Sequence, residues 1–138
     1  MSIVQTQTTS FKKELYQAVH NLATDTLKIA LYTGNATLNA DTTVYTTSNE
    51  VVASGYTAGG NTLTGVTINS ADYTAYVNFA NTAWTAAITA RCALIYNVTQ
   101  GNKSIAVIDF GADKTSTTTF TITMPANTST TALIRSSN

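Results

Sequence analysis

Cysteine and proline each occur once in these 138 residues, and seven basic plus seven acidic side chains carry all the formal charge. Charged residues are 10% of the chain, against about 25% in ordinary soluble domains. Each scarcity excludes something. A lone cysteine rules out a disulfide framework. Cys92 lies in the apolar run Ala90-Arg91-Cys92-Ala93-Leu94 and reads as a small buried hydrophobe. A net charge of zero leaves no basic excess for phosphates, so no nucleic-acid partner is expected. Nor is there a charge-rich disordered tail. No apolar run is long enough to cross a membrane as a helix, so no membrane partner is expected. The start, Met-Ser-Ile-Val-Gln-Thr-Gln, has neither the cationic nor the apolar segment of a secretory leader.

Threonine is abundant: 29 residues, with Ser and Asn also frequent, beside 43% hydrophobic content. That suffices for one core in one domain of ordinary size. Residues 1–9 read as an extended N-terminal arm, ordered only if something holds it. Residues 10–138 read as a single β-rich domain opened by a helix over 10–22. Ser10 is the expected N-cap, and Phe11, Leu15, Ala18, Val19 and Leu22 share one face. The rest alternates as strands do. Leu27, Ile29 and Leu31 share a face. Ile88, Ala90, Cys92, Leu94 and Tyr96 alternate with Thr89, Arg91, Ala93 and Ile95. Residues 104–110 are apolar on both faces, as in a central strand. Gly111 to Lys114 reads as a turn, and Phe120, Ile122 and Met124 alternate before Pro125. The expectation is a mainly β fold, an antiparallel β-sandwich or barrel of about seven to nine short strands with one N-terminal α-helix. Threonine fits that fold, because a β-branched side chain suits a pleated surface while its hydroxyl stays hydrated.

Catalytic groupings are thin. His20 is the only histidine, with scattered carboxylates as its only partners for a triad or zinc site, and no G-x-S-x-G elbow occurs. Asp109-Phe110-Gly111 matches the kinase magnesium motif by letters only. Asp41, Glu50, Asp72, Asp109 and Asp113 are oxygen donors without calcium-loop spacing, and the aspartates read as turn residues. Four Asn-x-Ser/Thr sequons arise naturally in so Asn- and Thr-rich a chain. The expectation is no enzyme, no cofactor and no metal. Gly55-Tyr56-Thr57-Ala58-Gly59-Gly60 lacks a phosphate-loop ending; it reads as a loop whose shape, at an interface, needs glycine. Tyr45, Tyr56, Tyr73, Tyr76 and Tyr96 supply either interface area or half-buried strand packing. The candidate partner contacts are therefore Ile3, Val4 and Gln5 on the arm, with Tyr45, Tyr56, Gly59 and Gly60.

Several segments together carry a resemblance. These are the Ser10-Phe11-Lys12 helix start, Thr24-Asp25-Thr26-Leu27-Lys28-Ile29-Ala30-Leu31-Tyr32-Thr33, Asn49-Glu50-Val51 leading into Ser54 to Gly60, Trp84, Ala93-Leu94-Ile95-Tyr96-Asn97, and Ala106-Val107-Ile108-Asp109-Phe110-Gly111. The chain resembles, over about residues 10–125, a family of small virion structural proteins of tailed bacteriophages. The resemblance implies a capsid decoration (cement) protein that binds the major capsid protein and stabilises the head shell. It implies assembly as a homo-oligomer, commonly a trimer in that class, synthesis in the bacterial host cytoplasm and residence on the virion head surface. Two alternatives stand beside it. One is a tail or head–tail connector component. The other is a carbohydrate-binding β module with Tyr56, Tyr73, Tyr76 and Trp84 as sugar contacts.

Overall fold

The computed structural model describes residues 2–137; Met1 of the arm and Asn138 of the domain lie outside them. In chain order the elements are β1 (Ser2–Ile3), β2 (Thr6–Gln7), α1 (Thr9–Tyr16), β3 (Leu27–Tyr32), β4 (Thr37–Leu38), β5 (Asn61–Thr62), β6 (Thr67–Ala71), β7 (Thr74–Asn78), β8 (Thr82–Trp84), β9 (Thr89–Asn97), β10 (Lys103–Thr115), β11 (Phe120–Ile122) and β12 (Ile134–Ser136). The protein is mainly β with one helix, and its sheets do not close into a barrel. Twelve strands replace the expected seven to nine because several are pairs of two or three residues that carry no readable period.

A five-stranded sheet in the order β2-β10-β9-β3-β5 is the frame. Its two long strands form a hairpin from Asn97↔Lys103 onward, and β3 runs antiparallel along the other side of β9 from Leu27↔Asn97 to Tyr32↔Cys92. Both faces of this sheet are buried, which explains the continuous apolar runs. On one face Leu27, Ile29, Leu31, Ala93, Ile95 and Ile105 join Phe11, Trp84, Phe120 and Ile134. On the other, Ala30, Tyr32, Cys92, Leu94, Tyr96 and Val107 meet Ala36 and Leu38. Each such large aliphatic contributes roughly 1.5–3 kcal/mol by leaving water, and Ile95→Ala would forfeit about 2–5 kcal/mol. Smaller sheets, β11-β8 and β12-β7-β6, complete the first face. Along β9 the expected alternation breaks, since Ile88 and Ala90 join the Ile95 cluster while Cys92 joins the other. Opposite this break, β10 shifts register between Asp109 and Lys114. That bulge also carries β10 through Gly111 to Lys114, where a turn was expected; Gly111 takes φ +82° within it.

Two N-terminal expectations change. The arm is paired in place: Ser2 and Ile3 run parallel to Thr37 and Leu38, and Thr6 and Gln7 run antiparallel to Val107 and Ala106. The helix starts earlier and stops earlier than 10–22. Thr8, not Ser10, is the N-cap, its hydroxyl accepting from the Phe11 N–H. The helix ends because Ala18 turns left-handed (φ 57°), with the Val19 N–H reaching back to Glu14 O. This is a Schellman closure with alanine where glycine is usual. Thr8 also ties the helix to the sheet, since its hydroxyl meets Ser104 Oγ at 2.9 Å in the interior.

Candidate functional site

The expected contact residues Tyr45, Tyr56 and Gly59 do converge, but inward, on one carboxylate. Asn49 in the left-handed region (φ 62°) closes a turn whose Glu50 N–H donates to Thr47 O. The next residue is bound to the frame by Val51 N–H to Leu31 O. This aims the Glu50 side chain into the protein, where the residue is buried. Its Oε1 accepts from Tyr45 Oη at 2.6 Å, and its Oε2 accepts from Tyr56 Oη at 2.5 Å and from the Gly59 N–H at 2.8 Å. Tyr56 Oη in turn accepts the Leu31 N–H at 2.9 Å. Tyr96 Oη donates to Gly59 O at 2.6 Å, and its ring stacks on Tyr45 with centroids 4.6 Å apart. Tyr32 Oη reaches Thr46 O at 2.6 Å.

Electrostatics follow burial. Desolvation, then the Glu50 carboxylate, pushes the Tyr96 phenol up to about 12. Tyr56 and Tyr45 rise further, through desolvation first and their hydrogen bonds to Glu50 second. Tyr32 rises through desolvation and the Glu50 charge. These phenols stay neutral donors, and a carboxylate that accepts three bonds holds the loop of residues 45–60 against β3. Gly60 is needed for the same docking. Its φ is +79°, and a Cβ there would sit 1.8 Å from Ile29 O. Tyr56 and Gly59 are buried and Gly60 half-buried against β3, which gives them an internal role where surface contact was expected.

The arm residues divide. Ile3 is half-buried and packs with Tyr45 on the second core cluster. Val4 holds Leu38 O through its N–H at 3.0 Å and leaves half its surface exposed. Gln5 is exposed, and its Oε1 accepts the Asp109 N–H at 3.1 Å. Gln5 also borders an open groove of about 640 Å³ between β10 and β11, with Ile108, Phe110, Phe120 and Leu133 along it.

The remaining chemical candidates are scattered or consumed. His20 is buried between Glu14, whose Oε1 lies 2.8 Å from Nε2, and Asn97, whose amide meets Nδ1 at 3.0 Å. The Asn97 amide also donates to Asp25 Oδ2 at 2.8 Å, and that bond heads the causes holding the Asp25 carboxyl below its usual range. Cys92 is buried, and desolvation pushes its thiol up to about 12. Asp109 is held low by the Gly111 N–H and then by Arg91, whose Nε lies 3.2 Å away. Among the described residues no group of three His, Cys, Asp or Glu could hold a metal ion. No helix among them is long and apolar enough to cross a membrane. Trp84 is 4% exposed, its ring 5.9 Å from Tyr56 and 6.2 Å from Phe120. Both Trp84 and Tyr56 are therefore core, and neither forms an open sugar platform. Tyr73 is fully exposed at a hairpin tip and Tyr76 is half-buried.

Sequence reasoning missed the Glu50 hub and the Glu14–His20–Asn97–Asp25 chain. The available signal for the hub was a glutamate placed directly before Val51-Val52 and flanked by Tyr45 and Tyr56. Fold and site together define a mainly β protein with one helix, whose polar interior ties the loop of residues 45–60 to the central sheet. No family model matches the chain, and neither does any curated protein or solved structure.

Proposed function

We propose that the chain is a virion structural protein of a tailed bacteriophage, a decoration protein that binds the major capsid protein and stabilises the head shell without chemistry of its own. The reading rests on the sequence resemblance. One structural observation supports it: the segments that carry the resemblance are framework parts. Thr24 to Thr33 contains β3, Ala93 to Asn97 lies in β9, and Ala106 to Gly111 lies in β10. Asn49 to Gly60 is the loop latched by Glu50. A charge-poor, neutral exterior suits close packing beside identical copies, where net charge would repel. Many weakly bound copies on one lattice hold by multivalency.

Cryo-microscopy of intact particles tests this. Density for the chain on the outer face of the shell, in numbers matching shell sites, is the expected outcome. Density confined to the tail or to the head–tail connector would replace this reading with the tail alternative.

A further inference from the structure

We propose that the outer edge of β6 is a homotypic docking strand, which pairs antiparallel with β6 of a second copy of this chain. The proposal goes beyond the decoration reading and does not depend on it.

The hairpin geometry identifies the free groups. Asp72 and Tyr73 both have positive φ (53° and 63°) and join Ala71 to Thr74 in a two-residue turn. Such a turn is type I′, and the residues flanking it form a hydrogen-bonded pair. Counting back by twos, Ala71, Asn69 and Thr67 face β7, opposite Thr74, Tyr76 and Asn78. Ile68 and Ser70 therefore turn their N–H and C=O groups away from the sheet. β6 is the end strand of its sheet, and all five of its residues are exposed. No hydrogen bond among the described residues takes up the main-chain groups of Ile68 or Ser70.

The edge of β10 in the five-stranded sheet is treated differently. Beyond β2, the next two N–H groups along β10 are capped by side chains: Asp109 N–H by Gln5 Oε1 and Gly111 N–H by Asp109 Oδ1. Side-chain caps of this kind block strand addition. The β6 edge has none, and Thr67-Ile68-Asn69-Ser70-Ala71 carries no charge and no proline.

A second copy is the occupant that this edge fits. With a two-fold axis at Asn69, Ile68 of each copy faces Ser70 of the other. These outward residues exchange hydrogen bonds on both sides of the axis, so all their free groups are satisfied in both copies. The joined sheet then runs β12-β7-β6-β6-β7-β12, with the two Ile68 side chains on one face. The same register carries Asp72 and Tyr73 of each copy to the Val66 and Gly65 end of the other. The two Asp72 carboxylates are kept apart by about six residues, roughly 20 Å of strand. A left-handed, fully exposed tyrosine at the turn, costly in isolation, is thereby given a neighbour.

The test is amide exchange and sedimentation of the full chain from micromolar to millimolar concentration. The expected result is a concentration-dependent dimer. In it the Ile68 and Ser70 amides slow about tenfold or more, while those of Thr67 and Asn69, already bonded, change little. Ser70→Pro removes an outward N–H and leaves the internal ladder intact, so it should keep the hairpin and abolish the dimer. Ser70→Lys, which places like charges at the axis, should do the same without any proline effect. A monomer at millimolar concentration with freely exchanging Ile68 and Ser70 amides overturns the proposal. So does a dimer that persists in the folded Ser70→Lys protein.

Discussion

Truncating Glu50 to alanine should destabilise the protein by about 2–6 kcal/mol, the range for leaving two buried neutral donors without their acceptor. The size of the effect comes from what remains behind. Glu50→Ala leaves the buried Tyr56 hydroxyl and Gly59 N–H without their acceptor, at about 1–3 kcal/mol each. Tyr45 loses a partner as well, but it is only half-buried and can turn to water. Glu50→Gln keeps the volume and one carbonyl. That oxygen can serve Tyr56 and Gly59, which share Oε2, while the new NH2 faces Tyr45 and forces its hydroxyl to accept. Converting charge-assisted bonds to neutral ones should cost about 1–2 kcal/mol. The order Ala worse than Gln is thus set by geometry. The assay is denaturant unfolding followed by the fluorescence of Trp84, whose ring lies 5.9 Å from Tyr56 and reports the same region. In the cycle with Tyr45→Phe, the double mutant Glu50→Gln/Tyr45→Phe should be less damaged than the sum of its singles, because the mismatched NH2 no longer meets a phenol. A Glu50→Ala cost below about 1 kcal/mol, or a Gln variant no better than Ala, would refute the assignment of Glu50 as the latch.

Other consequences follow from named contacts. Thr8→Ala should cost about 1–2 kcal/mol in the same assay, since it removes the N-cap acceptor of Phe11 and a buried partner of Ser104. Gly60→Ala should cost at least about 3 kcal/mol or prevent folding, because its Cβ would collide with main chain in a strained conformation; Gly34→Ala, outside the left-handed region and with its nearest neighbour at 3.6 Å, is the tolerated control. The phenols of Tyr32, Tyr45, Tyr56 and Tyr96 are raised above the ordinary value of 10.0, so their contribution to stability is complete below pH 10 and is lost as pH climbs towards their folded values. Spectrophotometric titration should accordingly show their tyrosinate band arriving together with loss of structure, not ahead of it.

What the sequence made legible was whatever repeats locally. Leu27, Ile29 and Leu31 alternate and share one face, and the two-sided apolar run of Ser104 to Phe110 is a strand of the central sheet. The helix was visible through Phe11 and Leu15, but its end was not. The stop depends on Ala18 accepting a left-handed conformation, where alanine gives no warning, and on the return of His20 to Glu14. The inward placement of Tyr56 and Gly59 was hidden for a related reason. A loop with three glycines and a tyrosine has the composition of an interface and equally of a tight internal dock. Only the position of Glu50 decides between them, and a single glutamate has no period. The arm reads as free because two-residue strands carry no pattern; it is fixed by register partners about 35 and 100 residues away in sequence.

Scarcity of charge also explains how the sheet edges are managed. Proteins usually guard open strands with lysine, proline or inward-pointing charge. This chain has seven basic residues and one proline in all, so it guards by other means. The segment of residues 2–7 is laid along β10 and Thr37–Leu38. One glutamine and one aspartate then cap the next two donors. These devices use a neutral amide and an aspartate already paired with Arg91. They also depend on position, because each cap serves one N–H and protects nothing further along. A chain that guards its edges one donor at a time leaves the rest open by default, and Thr67–Ala71 is such a stretch. On the docking proposal, the same economy of charge leaves the edge of β6 open to a second copy.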